Sequence, residues 1–550
     1  MFASMMTRRL TLTPALTLLA ALVTCAALLA LPARAAASGS QETILQDDDQ
    51  LIYASPEHMA HTLEQLSALG VDRVKVSMVW WLVASHPNSY RRPRFDATNP
   101  AKYPPGAWDR YDMLVRMAHE LGLKVYFELS PPDPHWAIPK GEATHQAPPL
   151  GHAPDPKLFA QFVKAVGRRY SGSFDAPVPA QQPSPAALGL SDSYTDGLSP
   201  AIPRVDYWGI WNEPNERSWL NPYYKILSNH KRAIIQAAVY RGLANAAWGA
   251  LAATGHTAGR DTILIGETAN AGVLAPTAFV RALYCVSSGS RPLTGSAASL
   301  LGCPTAGNRR QFAARNPGLF KISGFAHHPY GFNVAPNRPY RNPPTFVTLH
   351  NLGGFKHALD GAFAAYGQHR HGGVQLYLTE WGYKTKPPNP YQHTSLTQQQ
   401  VWLDQGAYMA WRLSWVQALA QFLLVDDKPK AGEKKGSLAY WSTFQTGLKF
   451  LNGTPKPAYY SFSIPIWLPS ANHRHATVWG DVRPAHEFGG VTAQLQFEAN
   501  GSSDWSTVEQ IQTRGFVLTH VSLPAAGHVR LAWLDKATGT THYSRTAAVS

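Results

Sequence analysis

The chain has 550 residues and a formal net charge of +14; 45% of its residues are hydrophobic and 15% are charged. This length accommodates a barrel-sized domain and a smaller one, and the apolar content provides for a substantial core. Because no basic run, recognition helix or base-stacking motif accompanies the positive charge, nucleic acid is excluded as a partner, whereas contact with an anionic polysaccharide or a cell envelope is compatible with it.

Residues 1–37 have the pattern of a secretory signal peptide. Arg8 and Arg9 precede an apolar stretch over residues 15–31, and small residues up to Ala37 offer a cleavage site. The alternative is a retained membrane anchor, which is disfavoured because the apolar stretch is short for a bilayer and ends at Pro32. We therefore expect a secreted, extracellular protein with no membrane span in the mature chain.

Strand-like apolar runs alternate with helix-like periodic stretches over residues 38–468, as in parallel βα units. The eight predicted strands are 50–54, 71–80, 123–129, 205–211, 262–266, 322–327, 374–378 and 418–424. The predicted helices include 56–69, 107–121, 157–170, 224–253, 355–366, 398–413 and 456–462, with Ser55 as the first cap. This pattern predicts an α/β fold, a (β/α)8 TIM barrel. The alternative, an open doubly wound sheet, would need a glycine-rich phosphate loop, and none follows any of these strands.

Two insertions and a C-terminal segment stand apart from the eight units. Residues 171–203 are rich in Pro, Ser and Ala, and residues 286–316 include Cys303. Both precede strands, which predicts that they lie on the face opposite the active face of the barrel. Residues 469–550 consist of short alternating runs separated by turns, which is typical of an all-β sandwich. For this sandwich, a sugar-binding role and a purely structural role both stay open.

The cysteines indicate a structural crosslink. Cys25 lies within the signal, which leaves Cys285 and Cys303 in the mature chain. Two cysteines in an oxidising compartment predict one disulfide that closes a short loop. No further metal-ligating residues cluster around them in the sequence, so the pair is interpreted as structural.

Two glutamates occupy matching positions at strand ends. Glu213 belongs to Trp211-Asn212-Glu213-Pro214 after the fourth strand, and Glu380 belongs to Thr379-Glu380-Trp381-Gly382 after the seventh. Barrel enzymes build their active sites at the carboxyl ends of the strands. Hydrolysis of a glycosidic bond with retention needs an acid and a nucleophilic carboxylate about 5–5.5 Å apart. The alternative is that both glutamates are ordinary surface acids, a role that does not require Trp, Asn and Pro or Gly beside them.

These motifs, with His327-His328-Pro329-Tyr330 after the sixth strand, resemble those of glycoside hydrolase clan A, the (β/α)8 retaining glycosidases that include cellulase-like and β-xylosidase-like families. The resemblance covers nearly the whole barrel. It implies that Glu213 is the general acid/base and Glu380 the nucleophile, and that Asn212 binds the sugar 2-hydroxyl. It also implies that His328 and Tyr330 donate hydrogen bonds near Glu380, so that we expect a low pKa for Glu380.

Other residues on the active face are candidates for substrate binding. Trp136 after the third strand and Trp441 after the eighth are candidate stacking platforms for a sugar ring, and Trp381 adjoins the nucleophile. Each ring could equally pack against its own loop. Glu267 at the tip of the fifth strand is expected to contact the substrate. The clan usually carries Arg where this chain has Lys75, which lacks the planar bidentate fork of Arg. Lys75 could equally be an ordinary strand residue near the barrel floor, so we assign it no site role.

The sequence thus predicts a secreted retaining β-glycosidase that hydrolyses an oligo- or polysaccharide without a cofactor or metal. A transglycosidase would use the same two glutamates, whereas a catalytically silent carbohydrate-binding protein would lack one of them. A metal-dependent hydrolase would need His and Asp clusters at several strand tips, and His327-His328 alone falls short of that requirement.

Overall fold

The computed structural model describes residues 37–140, 151–176, 201–306, 309–340, 346–472, 474–486 and 489–549. The predicted signal peptide up to residue 36 and most of the insertion at 171–203 lie outside these ranges. Within the described ranges, no helix combines the length and the hydropathy that crossing a bilayer requires.

Eight parallel strands close into a barrel, in which each strand pairs with its neighbours in chain order and the last pairs with the first. The strands are β1 (Glu42–Gln46), β2 (Arg73–Val79), β3 (Lys124–Ser130), β4 (Tyr207–Ile210), β5 (Thr262–Thr268), β6 (Gly324–His327), β7 (Gln375–Leu378) and β8 (Val416–Phe422). The predicted (β/α)8 barrel is therefore confirmed.

Nine helices of six or more residues accompany the described strands of the barrel. Eight of them are α1 (Pro56–Ala68), α2 (Asp109–Glu120), α3 (Pro156–Arg169), α4 (Gln236–Ala252), α5 (Pro276–Leu283), α6 (Leu352–Ala364), α7 (Leu396–Trp411) and α8 (Pro457–Phe462), and the other is Arg309–Arg315, before β6. Shorter helical segments are Trp80–Val83, Pro100–Lys102, His135–Ala137, Gly295–Ser299, Pro317–Phe320, Leu349–Asn351 and Arg483–His486. In α1, the Ser55 side chain accepts the His58 N–H as predicted, and Met59, Leu63 and Leu66 form a buried stripe at helical spacing.

Two predicted elements were wrong. The first strand is Glu42–Gln46, whereas residues 50–54 form a turn in which the N–H groups of Leu51 and Ile52 bond to the Asp48 carbonyl. The strand Glu42–Gln46 is short and has a polar residue at each end. Its sequence therefore shows little of the alternation that identifies a strand, although its central residues are buried. The predicted helix 224–253 begins only at Gln236, because Tyr224–Ile226 and Arg232–Ile234 pair as a hairpin around a polar turn.

The barrel interior has an apolar floor beneath a charged layer. The floor consists of Ile44, Tyr126, Tyr207, Leu264, Ala326, Ala418 and Ala420. Lys75, Glu128 and Glu267 are buried above it. Side chains in a strand alternate between its two faces, so a charge within an apolar strand can point into the barrel while its neighbours pack against the helices. The strands therefore carry ionic groups to the face where Glu213 and Glu380 lie.

The C-terminal segment forms two antiparallel sheets around their own apolar core, which confirms the predicted sandwich. One sheet has the order β9-β10-β13, and the other has the order β12-β11-β14-β15 with β16 also paired to β14. These strands are β9 (Ile466–Asn472), β10 (His475–Asp481), β11 (Val491–Ala499), β12 (Ser506–Thr513), β13 (Phe516–Ser522), β14 (Gly527–Asp535), β15 (Thr540–Tyr543) and β16 (Ala547–Val549).

The sandwich is bonded to the side and base of the barrel. Arg545 donates to the buried Asp404 of α7 at 2.6 Å. His486 lies 2.9 Å from Asp481 of β10 and 3.5 Å from Asp72, in the loop that leads into β2. These contacts involve a covering helix and the amino-terminal end of a strand, so they leave the carboxyl ends of the barrel strands uncovered.

Cys285 and Cys303 form the predicted disulfide, with Cα atoms 5.7 Å apart. It crosslinks the end of α5 to the segment that precedes β6, on the side of the barrel away from the strand tips. We expect Cys303→Ser to lower the free energy of unfolding by about 3 kcal/mol, because a closed loop of this size restricts the unfolded chain. Denaturant titration measures the loss. Reduced kcat in folded protein would contradict the structural role.

Candidate active site

Glu213, His328 and Glu380 come together at the carboxyl ends of β4, β6 and β7. One carboxylate oxygen from each glutamate and one ring nitrogen of His328 all lie within 4.8 Å of one another. The Glu213 side chain is 19% exposed and the Glu380 side chain 9%, so the pair lies at the border between the barrel interior and solvent. The two glutamates that the sequence places on different strands therefore share one site.

His328 links three carboxyl groups. Its Nδ1 lies 3.0 Å from Glu213 Oε1 and 3.5 Å from Glu380 Oε2, and its Nε2 lies 2.9 Å from Glu267 Oε2. Burial disfavours the charged ring, but the charge of Glu380 and the hydrogen bonds to Glu213 and Glu267 outweigh it and raise the pKa of His328 to about 10. The imidazolium therefore donates from both ring nitrogens at neutral pH.

Glu213, His328 and Glu380 are also residue types that bind metal ions, and they lie close enough together to share one. A metal ligand must be a neutral imidazole with a free lone pair, and the protonated His328 offers none. We therefore expect that incubation with EDTA followed by desalting leaves kcat/KM unchanged. Addition of Zn²⁺ should inhibit, if it acts at all, by competing with the ring protons. Loss of activity that a divalent metal restores would contradict this interpretation.

Lys75 lies at the centre of the buried charges, although the sequence analysis gave it no role. Its ammonium nitrogen is 2.5 Å from Glu128 Oε2, 3.2 Å from Glu267 Oε2 and 3.4 Å from Glu380 Oε1. Burial opposes the charge of Lys75, but the three carboxylates raise its pKa above the ordinary value. Burial also raises the pKa of Glu128 to about 8, against the influence of Lys75. Lys75 thus supplies a fixed positive charge beside Glu380.

The signal that could have revealed this network lies in the strands themselves. Lys75 and Glu128 are charged residues inside the apolar runs of β2 and β3, and the register pairs Lys75 with Tyr126 and Ser77 with Glu128. Charges at alternate positions of a buried strand point to the same face, which in a closed barrel is the interior. Glu128 was not among the residues predicted from the sequence to form the site.

Glu267 supports the site from below. Its Oε1 accepts the Tyr126 hydroxyl, and its Oε2 accepts Lys75, His328 and the Thr379 hydroxyl, the last at 2.6 Å. Burial would raise its pKa, but Lys75 and His328 lower it to about 2. The side chain is fully buried and both oxygens are occupied, which does not fit the substrate contact expected from the sequence. A Cβ at Gly209 would clash with the Tyr126 hydroxyl, so the glycine makes room for this contact.

Glu380 is held by donors, as expected, but its pKa is not low. The Tyr330 hydroxyl donates to Glu380 Oε2 at 3.1 Å, and His328 and Lys75 lie within 3.5 Å of its two oxygens. Burial nevertheless raises the pKa of Glu380, because these cations offset the cost of burial only in part and Glu213 and Glu267 add repulsion. The expectation of a low pKa was therefore wrong.

The backbone around Glu213 is strained and anchored. Trp211, Glu213 and Glu267 have φ angles of 70°, 39° and 43°, in the left-handed region that non-glycine residues rarely adopt. The Glu213 N–H donates to the Glu267 carbonyl at 2.9 Å, which ties the tips of β4 and β5 together. Next to Glu213, the carboxamide oxygen of Asn212 is buried and makes no hydrogen bond to any described residue.

Two of the three predicted aromatic platforms, Trp136 and Trp381, are buried in the core. Trp136 is buried, packs edge-on against Trp80 and donates to the Ser85 carbonyl, so its faces serve the core. Trp381 is also buried and lies against α7, where Gly406 leaves space for the ring. Neither placement fits a stacking platform.

Trp441 is half-buried in its loop, where its ring meets Tyr440 edge-on at 5.3 Å. Two other aromatic residues, Phe422 and Phe444, lie next to Tyr330, which contacts Glu380. The Tyr330 ring lies 6.3 Å from Phe422 and 5.9 Å from Phe444, with Lys384 over the face of Phe444. Phe422 is the last residue of β8. A ring near the end of the eighth strand was predicted, but the predicted residue was Trp441.

No protein-family model matches the chain, and no curated protein is similar to it. Solved structures with a similar fold include a family 39 glycoside hydrolase from Bacteroides cellulosilyticus WH2, at 13% identity and a TM-score of 0.46, covering 88% of this chain and 79% of that one. A glucosidase from Croceicoccus marinus covers 93% and 96%, at 10% identity and a TM-score of 0.44. An exo-β-1,4-mannosidase from Opitutaceae bacterium strain TAV5 covers 78% and 60%, at 12% identity and a TM-score of 0.39. These values describe a likeness between this chain and glycoside hydrolases in fold alone.

Proposed function

We propose that the chain is a secreted retaining β-glycosidase in which Glu380 is the nucleophile and Glu213 the general acid/base. The observation that carries the proposal is the approach of one carboxylate oxygen of Glu213 and one of Glu380 to within 4.8 Å of each other. Retaining glycosidases hold these groups about 5–5.5 Å apart, whereas inverting enzymes separate them by about 6.5–9.5 Å to admit a water. The short separation favours retention.

The unequal surroundings of the two groups support the assignment of roles. Glu380 is the more buried and is flanked by Lys75, His328 and the Tyr330 hydroxyl, all of which donate to an anion. A nucleophile must be ionised when it attacks, and fixed donors stabilise that form. Glu213 is the more exposed, and within the described ranges His328 is the cation that it contacts, so it can exchange its proton with a leaving group or with water.

The reaction follows in two displacements. Glu380 attacks the anomeric carbon, the glycosidic C–O bond breaks, and Glu213 gives its proton to the departing oxygen, which leaves as an alcohol. In the second step, Glu213 takes a proton from water as the water oxygen attacks the anomeric carbon and the ester bond to Glu380 breaks. Once Glu380 is esterified its negative charge is gone, and the charge of His328 then acts chiefly on Glu213.

Asn212 and Glu267 have supporting roles in this proposal. The unpartnered carboxamide of Asn212 adjoins the acid and is available to a hydroxyl of the sugar, where a hydrogen bond would strengthen as positive charge builds on the ring. Glu267 holds His328 and Lys75 in place, since it accepts from both. We assign Glu267 as a positioning residue.

The configuration of the first product tests the proposal. A panel of aryl β-glycosides is hydrolysed inside an NMR tube, and the anomeric proton of the product is followed before mutarotation. We expect the β-anomer to form first. First appearance of the α-anomer would overturn the double displacement. Adding a sugar acceptor shows whether transfer competes with hydrolysis, which is the alternative that the same two glutamates allow.

Export is part of the proposal and rests on residues 1–37. The structure of the mature region is compatible with it, because the Cys285–Cys303 disulfide is typical of oxidising compartments. Expression in a secreting host followed by N-terminal sequencing of the culture-medium protein should find a start at or next to residue 38. Retention of the full chain in the membrane fraction would favour the anchor.

The raised pKa of Glu380 predicts where activity is lost in acid. The nucleophile works only when ionised, so kcat/KM should fall as pH drops through its pKa, which lies above the ordinary value of 4.5. A 2,4-dinitrophenyl glycoside isolates this limb, because its leaving group needs no proton. A midpoint at or below pH 4.5 would contradict the burial effect described here.

A further inference from the structure

The outer face of one sandwich sheet carries a groove of about 710 Å³. We call it the amide groove and define it by the side chains that line it along the strands: Thr492, Gln494, Gln510, Gln512, Ala532, Leu534 and Thr541. The inner face of the same sheet packs the sandwich core, so the groove is built from residues that the core does not use. Nothing in the catalytic proposal involves it.

The strand register produces the shape of the groove. Gln510 of β12 lies opposite Gln494 of β11, Gln494 lies opposite Ala532 of β14, and Ala532 lies opposite Tyr543 of β15. Long side chains thus flank a single methyl group in one row across the sheet. Ala532 forms the floor, and the turn after β14 closes one end. A small residue between larger ones is what makes a depression in an otherwise flat sheet.

The amides hold each other in place and leave bonding groups facing outward. Gln494 Oε1 accepts from Gln496 Nε2 at 3.1 Å and from Thr507 Oγ1 at 3.2 Å, and Gln512 Nε2 donates to Thr492 Oγ1 at 2.7 Å. Among the described residues, no hydrogen bond uses Gln494 Nε2, Gln512 Oε1 or either end of the Gln510 amide. The groove therefore presents amide donors and acceptors side by side, of which those of Gln494 and Gln512 are held by their neighbours, and this suits vicinal hydroxyl groups.

Apolar surface accompanies the amides. Leu534 in the groove and Tyr543 beside it are 50% and 42% exposed. The Arg530 guanidinium lies 4.0 Å from the centre of the Trp505 ring and 4.1 Å from that of Tyr543, and it donates to Gln496. This arrangement fixes two aromatic rings next to the row of glutamines. A sugar ring combines an apolar C–H face with a rim of hydroxyls, and this surface matches both.

The balance of charges in the groove lining favours an uncharged ligand. Asp535 and Lys536 are the charged residues of its lining, and they are opposite in sign and adjacent in one turn. Arg530 adds a positive charge beside the groove, but its guanidinium lies against the Trp505 and Tyr543 rings and donates to Gln496. An anionic polymer would therefore find no cluster of positive charge here, although the chain as a whole is basic. The sandwich joins the barrel through Arg545 and His486 at the side and base of the barrel, so the groove is not an extension of the catalytic site.

We propose that the amide groove binds a segment of a neutral polysaccharide and holds the enzyme on the polymer while the barrel acts on it. The choice of carbohydrate over other uncharged ligands rests in part on the proposed function, whereas the location rests on the groove alone. Since the groove residues are outside the catalytic site, turnover of a small aryl glycoside does not depend on them.

Binding is tested with the full chain carrying Glu380→Gln, so that no polymer is cleaved. Affinity electrophoresis through gels that contain β-glucan, xylan, mannan or polygalacturonate gives an apparent Kd for each. We expect retardation by at least one neutral polymer and an approximately tenfold weaker Kd after Gln494→Ala and Gln510→Ala together. Thr477→Ala on the outer face of the other sheet is the matched control, and equal melting temperatures exclude misfolding.

The outcomes separate the two proposals. Binding to a neutral polymer that the double substitution weakens and Thr477→Ala does not supports the groove, even if the unmodified enzyme cleaves no glycoside. No binding to any neutral polymer, or unchanged binding after the double substitution, overturns the groove. In the catalytically intact chain, the double substitution should slow release of sugar from the polymer while kcat/KM for an aryl glycoside stays the same; equal losses on both substrates would also overturn it.

Discussion

Replacing Glu380 with alanine is expected to abolish hydrolysis of aryl β-glycosides, and azide should restore turnover with an α-glycosyl azide as product. Without the carboxylate no covalent intermediate forms, and the cavity left by the side chain admits a small anion that attacks the same face of the sugar. The product has inverted configuration because only one displacement occurs. The measurement is turnover with and without azide, followed by NMR of the azide adduct.

Glu213→Ala should give the opposite stereochemistry. Loss of the acid is expected to lower kcat/KM by about 10²–10⁴-fold for substrates with poor leaving groups and far less for a 2,4-dinitrophenyl glycoside. Azide then attacks the intermediate on Glu380 and yields a β-glycosyl azide. Glu216→Gln is the matched control, since Glu216 is a half-buried acid three residues away. Identical azide products from both alanine variants would contradict the assigned roles.

Lys75→Met is expected to reduce stability more than any surface substitution, by about 3–5 kcal/mol in the free energy of unfolding. Removal of the ammonium group leaves Glu128, Glu267 and Glu380 buried together, and among the described residues the remaining ion-pair partner is His328, which contacts Glu267 and Glu380. The same change should raise the pKa of Glu380 further, so the acid limb of kcat/KM moves to higher pH. Denaturant titration and a pH profile measure the two effects.

Two companion variants make this prediction specific. Lys75→Met with Glu128→Gln removes one cation and one carboxylate together and should recover part of the lost stability, because fewer charges stay unbalanced. Lys75→Arg keeps the positive charge, but the larger guanidinium group crowds a fully buried site. Unchanged stability of Lys75→Met, or an acid limb that does not move, would contradict the central position of Lys75.

The features of the site that could be predicted from the sequence were local motifs at strand ends. The Asn212-Glu213 and Thr379-Glu380 pairs lie at the ends of apolar runs, and a parallel barrel brings such ends to one face whatever the register. The network beneath them depends on contacts between distant strands, since Lys75 and Glu380 are 305 positions apart. No local pattern specifies that contact, although a lone charge in an apolar strand signals that some partner must exist.

The tryptophans illustrate a second limit, because an aromatic residue near a strand tip has the same sequence context whether its ring faces the cleft or the core. Trp136 and Trp381 were predicted to bind sugar, and both are buried among other side chains. Which way a ring points is decided by the space that neighbours leave, such as the gap over Gly406. That information resides in α7, a separate element.

The join between sandwich and barrel has a consequence for how this protein could be redesigned. Trp479 of β10 belongs to the main barrel core and lies 5.8 Å from Trp411 of α7, while the buried carboxylate of Asp404 depends on Arg545 from the end of the chain. Residues from the last eighty positions of the sequence thus cover the outer surface of α7. A barrel without the sandwich would expose the Trp411 ring and the unpaired Asp404 carboxylate to solvent. Exchanging the sandwich for another module would therefore first require new side chains on the outer surface of α7.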